Sequence, residues 1–149
     1  MKMKYIINSR KTKAEIIQIL KENTSEKRSV FYREYDEFFN GKIFEDSFKI
    51  QRNISYRNSF LPVIIGSITE AENGSEITMK FRLNLFVTGF MTFWFSFVII
   101  FCLIMPFIKF DFPICLVPYL MLAFGILLVT IPNRIETKKA IEKLEELLK

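Results

Sequence analysis

Arg52, Tyr56, Arg57 and Asn58 fall within RNISYRNSFLPVIIGSI (52–68), where guanidinium, phenol and carboxamide groups run straight into a proline and a β-branched apolar run. Donors so closely spaced suit a carboxylate or phosphate, because a guanidinium presents a planar fork that matches paired oxygens. If 48–56 is one strand, Phe48, Ile50, Arg52, Ile54 and Tyr56 share a face, and Arg52 interrupts an otherwise apolar side. A guanidinium buried there without a partner would cost several kcal/mol. An acidic ligand or lipid headgroup held between sheet and bilayer would satisfy it. So would a protein acid such as Asp36, or water at the sheet rim. Asn58 and Ser59 ahead of Pro62 also suit a turn that bonds its own backbone.

Other chemistries find little support. There is no histidine, which removes the usual general base, the usual transition-metal ligand and every histidine-activated nucleophile. Cys102 and Cys115 both lie in apolar runs and are too few for a structural zinc site; a disulfide between them and two apolar thiols both stay open. Gly41, Gly66, Gly74, Gly89 and Gly125 are scattered singly, so no phosphate-cradling loop is formed. The acids Glu34, Asp36, Glu37, Glu45 and Asp46 read as turn and solvent-face residues. The expectation is a chain that is not an enzyme, with no cofactor and no metal.

The elements that position these residues follow from hydropathy. Half of the 149 residues are hydrophobic and 17 are phenylalanine. Residues 85–108 carry no charge and would span roughly 36 Å as a helix, enough for a hydrocarbon core of about 30 Å. Residues 112–132 repeat the pattern over roughly 31 Å, so 85–132 reads as a transmembrane hairpin. No charge lies in either run, which disfavours a proton relay. Gly89 and Gly125 offer sites of close helix approach. The opening residues lack the apolar centre of a signal peptide. Lys80 and Arg82 precede the first span, and Arg134, Lys138 and Lys139 follow the second, whereas the connecting loop has only Lys109 beside Asp111. These basic residues mark a membrane interface, with both termini cytoplasmic. Asn53-Ile54-Ser55 is then a glycosylation triplet only by coincidence. The net charge of +5 is interleaved with acids, which fits a face near anionic lipid better than one for nucleic acid.

Residues 1–84 read as a small cytoplasmic α+β domain. A strand is expected over 3–9, then a helix opened by the Thr12/Glu15 capping box and ending near Asn23. A further strand is expected over 30–39. A hairpin turning at Glu45-Asp46 follows, then strands over 60–69 and 76–86. Ile77, Met79, Phe81, Leu83 and Leu85 alternate with polar residues, as in a half-buried antiparallel strand. Residues 133–149 form an amphipathic helix whose Ala140, Ile141, Leu144, Leu147 and Leu148 share a face, with Ile135 outside it. Its expected partner is the sheet; the alternative is a second copy of the chain. The fold class is α+β: a small antiparallel sheet with an N-terminal helix, a transmembrane hairpin and a C-terminal amphipathic helix.

This order is similar to the helix-grip arrangement of START-like lipid-binding domains. The strings FFNGKIFEDSFKIQRNISYRNSFLPVIIGSI and GSEITMKFRL followed by two spans also resemble a group of small bacterial membrane proteins of no known activity. That likeness covers 38–132 and implies the architecture, without implying chemistry. The expected location is a bacterial inner membrane. The expected function is a non-catalytic membrane-anchored binding or regulatory module. The alternatives are a ligand-gated, oligomerising membrane effector of defence or signalling, and a lipid-binding module.

Overall fold

The computed structural model describes residues 3–25, 37–107 and 112–149. Most of the strand expected over 30–39, the acids Glu34 and Asp36, and the loop residues Lys109 and Asp111 lie outside them. Strand β1 (Met3–Ser9) leads into helix α1 (Lys13–Glu22). The capping box is formed: the Thr12 hydroxyl accepts from the Glu15 N–H, and the Glu15 carboxylate accepts the Thr12 N–H at 2.7 Å, satisfying donors that the first turn cannot use internally. Asn23 ends the helix. Strands β2 (Thr24–Ser25), β3 (Phe39–Ile43), β4 (Ser47–Arg52), β5 (Val63–Ala71) and β6 (Gly74–Arg82) complete a six-stranded sheet ordered β1-β6-β5-β4-β3-β2.

The sheet is mixed rather than purely antiparallel, because β2 joins β3 in parallel while every other pairing is antiparallel. A parallel pair needs a long connection, and residues 26–38 supply one. Two strands also stop earlier than their alternation predicts. β4 ends at Arg52, so residues 54–56 are not strand. The Asn53 N–H makes a last backbone bond to the Phe38 carbonyl at 2.9 Å, and its carboxamide donates to the carbonyls of Glu37 (2.8 Å) and Phe39 (3.1 Å), so side-chain bonds take over where the strand stops. β6 ends at Arg82, and the Asn84 side chain accepts the Phe86 N–H at 2.9 Å, which starts a helix where a strand was expected to continue.

One face of the sheet is closed. Ile7, Phe48, Ile50, Ile64, Ile68, Ile77, Met79 and Phe81 are buried with Ile16 and Leu20 of α1. Ala140, Leu144 and Leu148 complete this core, with Ile141 and Leu147 packed against it; the apolar stripe of the C-terminal helix therefore covers the sheet. Gly66 is required here, because a Cβ on it would lie 2.1 Å from the Phe48 ring.

Helix α2 (Leu85–Ile104) runs into a single 3-10 turn, Met105–Phe107, and helix α3 spans Phe112–Leu148. The second apolar run and the amphipathic segment are thus one continuous helix that accommodates Pro118 and Pro132. Both helices are long and apolar enough to cross a membrane, with mean hydropathy of 2.3 and 2.5 in their most apolar windows. Those windows are only 6% and 11% buried, unlike the core helix of a soluble protein. The helices meet where Gly125 faces Trp94: a Cβ at 125 would lie 2.4 Å from the indole. Gly89 has open space beside it. Cys102 and Cys115 are not joined.

Candidate functional site

Arg52 is the last residue of β4 and points to the closed face, as the strand period requires. Its partner is Glu136 of α3, with Nε 3.2 Å from Oε2. The two side chains are only 12% and 3% exposed, so the pair is largely removed from water. Neither of these atoms makes an aligned hydrogen bond, and the contact is ionic rather than a bidentate fork. The other carboxylate oxygen, Oε1, accepts the Tyr56 hydroxyl. That hydrogen bond, then burial, then repulsion from the Glu136 charge raise the Tyr56 phenol above its ordinary pKa. The Phe38 ring lies 5.2 Å from the Arg52 guanidinium, and the Lys143 ammonium lies 5.9 Å from the same ring.

The loop between β4 and β5 is fixed to the same turn of α3. Asn133 donates to the Phe60 carbonyl at 3.0 Å, three residues before Glu136. Asn58 accepts the Phe60 N–H at 2.9 Å, so its carboxamide serves the turn that presents this carbonyl. Of the four residues expected to bind a ligand, Arg52 and Tyr56 are thus gathered on one carboxylate. Asn58 is spent on the backbone and Arg57 is exposed.

Glu136 escapes a reading that assigns the charges of this helix to its outer side. Its signal is present in the chain: 136, 140, 144 and 148 recur at a spacing of four, so one acid stands on the apolar stripe formed with Ala140, Leu144 and Leu148. A lone cation interrupts the apolar face of β4, and a lone acid interrupts that of α3. Each interruption compensates the charge of the other.

The far end of α3 is also held. The Tyr5 hydroxyl donates to Glu145 at 3.0 Å, and the Ser9 hydroxyl donates to the Leu148 carbonyl. Hydrogen bonds from Lys149 and Tyr5 hold the Glu145 carboxyl below its ordinary value. The cations expected at a membrane interface, Lys80, Arg82, Arg134, Lys138 and Lys139, are all exposed; Arg134 and Lys138 line a groove of about 620 Å³ with Phe81 and Ile141.

Fold and site together define an α+β domain gripping a helix that continues into an apolar segment of membrane-spanning length. No known protein family, curated protein or solved structure matches the chain.

Proposed function

We propose that the protein is a membrane-anchored regulatory or binding module without catalytic activity, placed in a bacterial inner membrane with both termini cytoplasmic. One observation carries the reading: α3 runs unbroken from its apolar segment into the core of the sheet, and Arg52 and Tyr56 hold it at Glu136, near the junction of the two parts. A displacement of the sheet is then transmitted to the apolar helix, because a packed helix moves as a rigid element. The chemistry at Glu136 is positional, since both of its oxygens face side chains that fix it in place. Basic residues at both cytoplasmic helix ends support the orientation.

Alkaline-phosphatase and fluorescent-protein fusions at Lys149 test the placement. The expected pattern is a silent phosphatase and a bright fluorescent protein. An active phosphatase there overturns the topology, and release of the protein from membranes by carbonate overturns the anchoring. Coupling is tested by hydrogen exchange in nanodiscs, where Glu136→Gln should loosen amides on both sides of position 136. A change confined to the sheet would contradict the regulatory reading.

A further inference from the structure

The open face of the sheet carries an arrangement of charge that the packing of the domain does not explain. Lys4 lies directly opposite Lys80, Lys80 opposite Ile65, Ile65 opposite Lys49 and Lys49 opposite Lys42. The register therefore lines up four lysines and one isoleucine in a single row across five strands, all of them exposed. With strands about 4.8 Å apart, the row is roughly 19 Å long. Two of its cross-strand neighbours, Lys4–Lys80 and Lys42–Lys49, are like charges placed directly opposite, an arrangement that destabilises a sheet. None of the four enters an ion pair among the described residues. Arg82 adds a fifth cation in the adjacent row, opposite Val63. The acid on this face of β6, Glu76, lies about 13 Å from Lys80 along the strand, beyond a Debye length at physiological salt.

The cationic row adjoins the start of α2. A groove of about 860 Å³ has Lys42, Lys49 and Arg82 on its sheet side and Leu85 and Thr88 of the first turn of α2 on the other. Cations on one wall and the start of an apolar, membrane-length helix on the other match the two ends of a phospholipid. The geometry points to this face as a docking surface for anionic phospholipid headgroups of the leaflet that α2 enters. The leaflet charge offsets the repulsion built into the row, and the tilt of the domain becomes sensitive to lipid composition. A single-stranded nucleic acid fits less well, because successive bases need several aromatic platforms, whereas the row itself has none and Phe44 is the one aromatic lining the groove among the described residues.

The inference rests on the membrane reading proposed above, and the experiment separates the two. The full chain is placed in nanodiscs of neutral lipid and of the same lipid with an anionic phosphatidylglycerol fraction, and lysine acetylation rates are read by mass spectrometry. Lys4, Lys42, Lys49 and Lys80 should react about threefold more slowly in the anionic discs. Lys21, exposed on α1 away from this face, should change little. Failure to enter either disc overturns the membrane reading and this inference with it. Incorporation into both discs with equal rates at the four lysines overturns this inference alone. Protection by a single-stranded oligonucleotide but not by anionic lipid overturns it in favour of nucleic acid. Lys49→Gln/Lys80→Gln supplies a second readout: its melting temperature should rise in neutral discs, where repulsion is relieved, and its gain on adding anionic lipid should shrink. An unchanged gain contradicts the docking role.

Discussion

Removing Arg52 should be the most damaging single truncation outside the apolar core. In Arg52→Ala the Glu136 carboxylate, 3% exposed in the native structure, loses its ionic partner and keeps the Tyr56 hydroxyl as its remaining one among the described residues. Breaking one side of a buried pair costs about 3–5 kcal/mol, and the surviving phenol bond places this variant near 3 kcal/mol. A domain of this size loses about 4–8 °C of melting temperature per kcal/mol, so the sheet should melt some 12–24 °C lower. Arg52→Met/Glu136→Leu should recover most of that loss, because apolar residues of similar volume often replace a buried pair at little cost. The assay is a double-mutant cycle of Arg52→Met, Glu136→Leu and the two together on the full chain in neutral nanodiscs, followed by far-ultraviolet circular dichroism. The expected coupling is about 2 kcal/mol. Additive losses, with coupling below about 0.5 kcal/mol, would refute the pairing.

Three further outcomes follow from the geometry. Gly66→Ala should cost about 1–3 kcal/mol, since its methyl would enter the space of the buried Phe48 ring, and Gly66→Ala/Phe48→Leu should regain part of it in the same melting assay. Gly125→Val should push Trp94 aside and alter its fluorescence and quenching by lipid-borne bromine, whereas Gly89→Val, facing open space, should leave both unchanged. The Tyr56 phenol titrates above its ordinary value of 10.0, so the folded protein binds that proton more tightly than the unfolded chain. Its stabilisation is complete below that value and is lost as the pH rises through the raised one; Tyr56→Phe should shallow the alkaline decline in melting temperature, and an unaltered decline would contradict the Tyr56–Glu136 bond.

Much of the architecture was legible because local signals were strong. The Thr12/Glu15 box marked the start of α1, Glu45-Asp46 marked the hairpin, and the stripe of Ala140, Leu144 and Leu148 marked a helix needing a partner. The strand ends were less legible. Asn53 and Asn84 terminate β4 and β6 through side-chain bonds, and nothing in the alternation of their neighbours announces that choice. The parallel β2 edge depends on long-range pairing that Thr24 and Ser25 do not encode locally. Half of the candidate site could be read from β4, where Arg52 breaks an apolar face. Its partner could not, because Glu136 is distant in sequence and resembles the outward-facing glutamates around it until the spacing of four is applied. Arg57 and Asn58 are near Arg52 in the chain but not in the site, because Asn58 serves the turn at Phe60 and Arg57 is exposed.

Helix α3 is one continuous element joining an apolar segment of membrane-spanning length to the sheet, held at Glu136. Hydrogen exchange of the full chain in neutral nanodiscs, resolved over residues 133–140, tests it most directly. Slow exchange across this junction in the native chain, accelerated in Arg52→Ala, is the predicted result. Fast exchange at 133–136 in the native chain, unchanged by Arg52→Ala, would mean that the helix is broken at the junction and that the ion pair does not hold it.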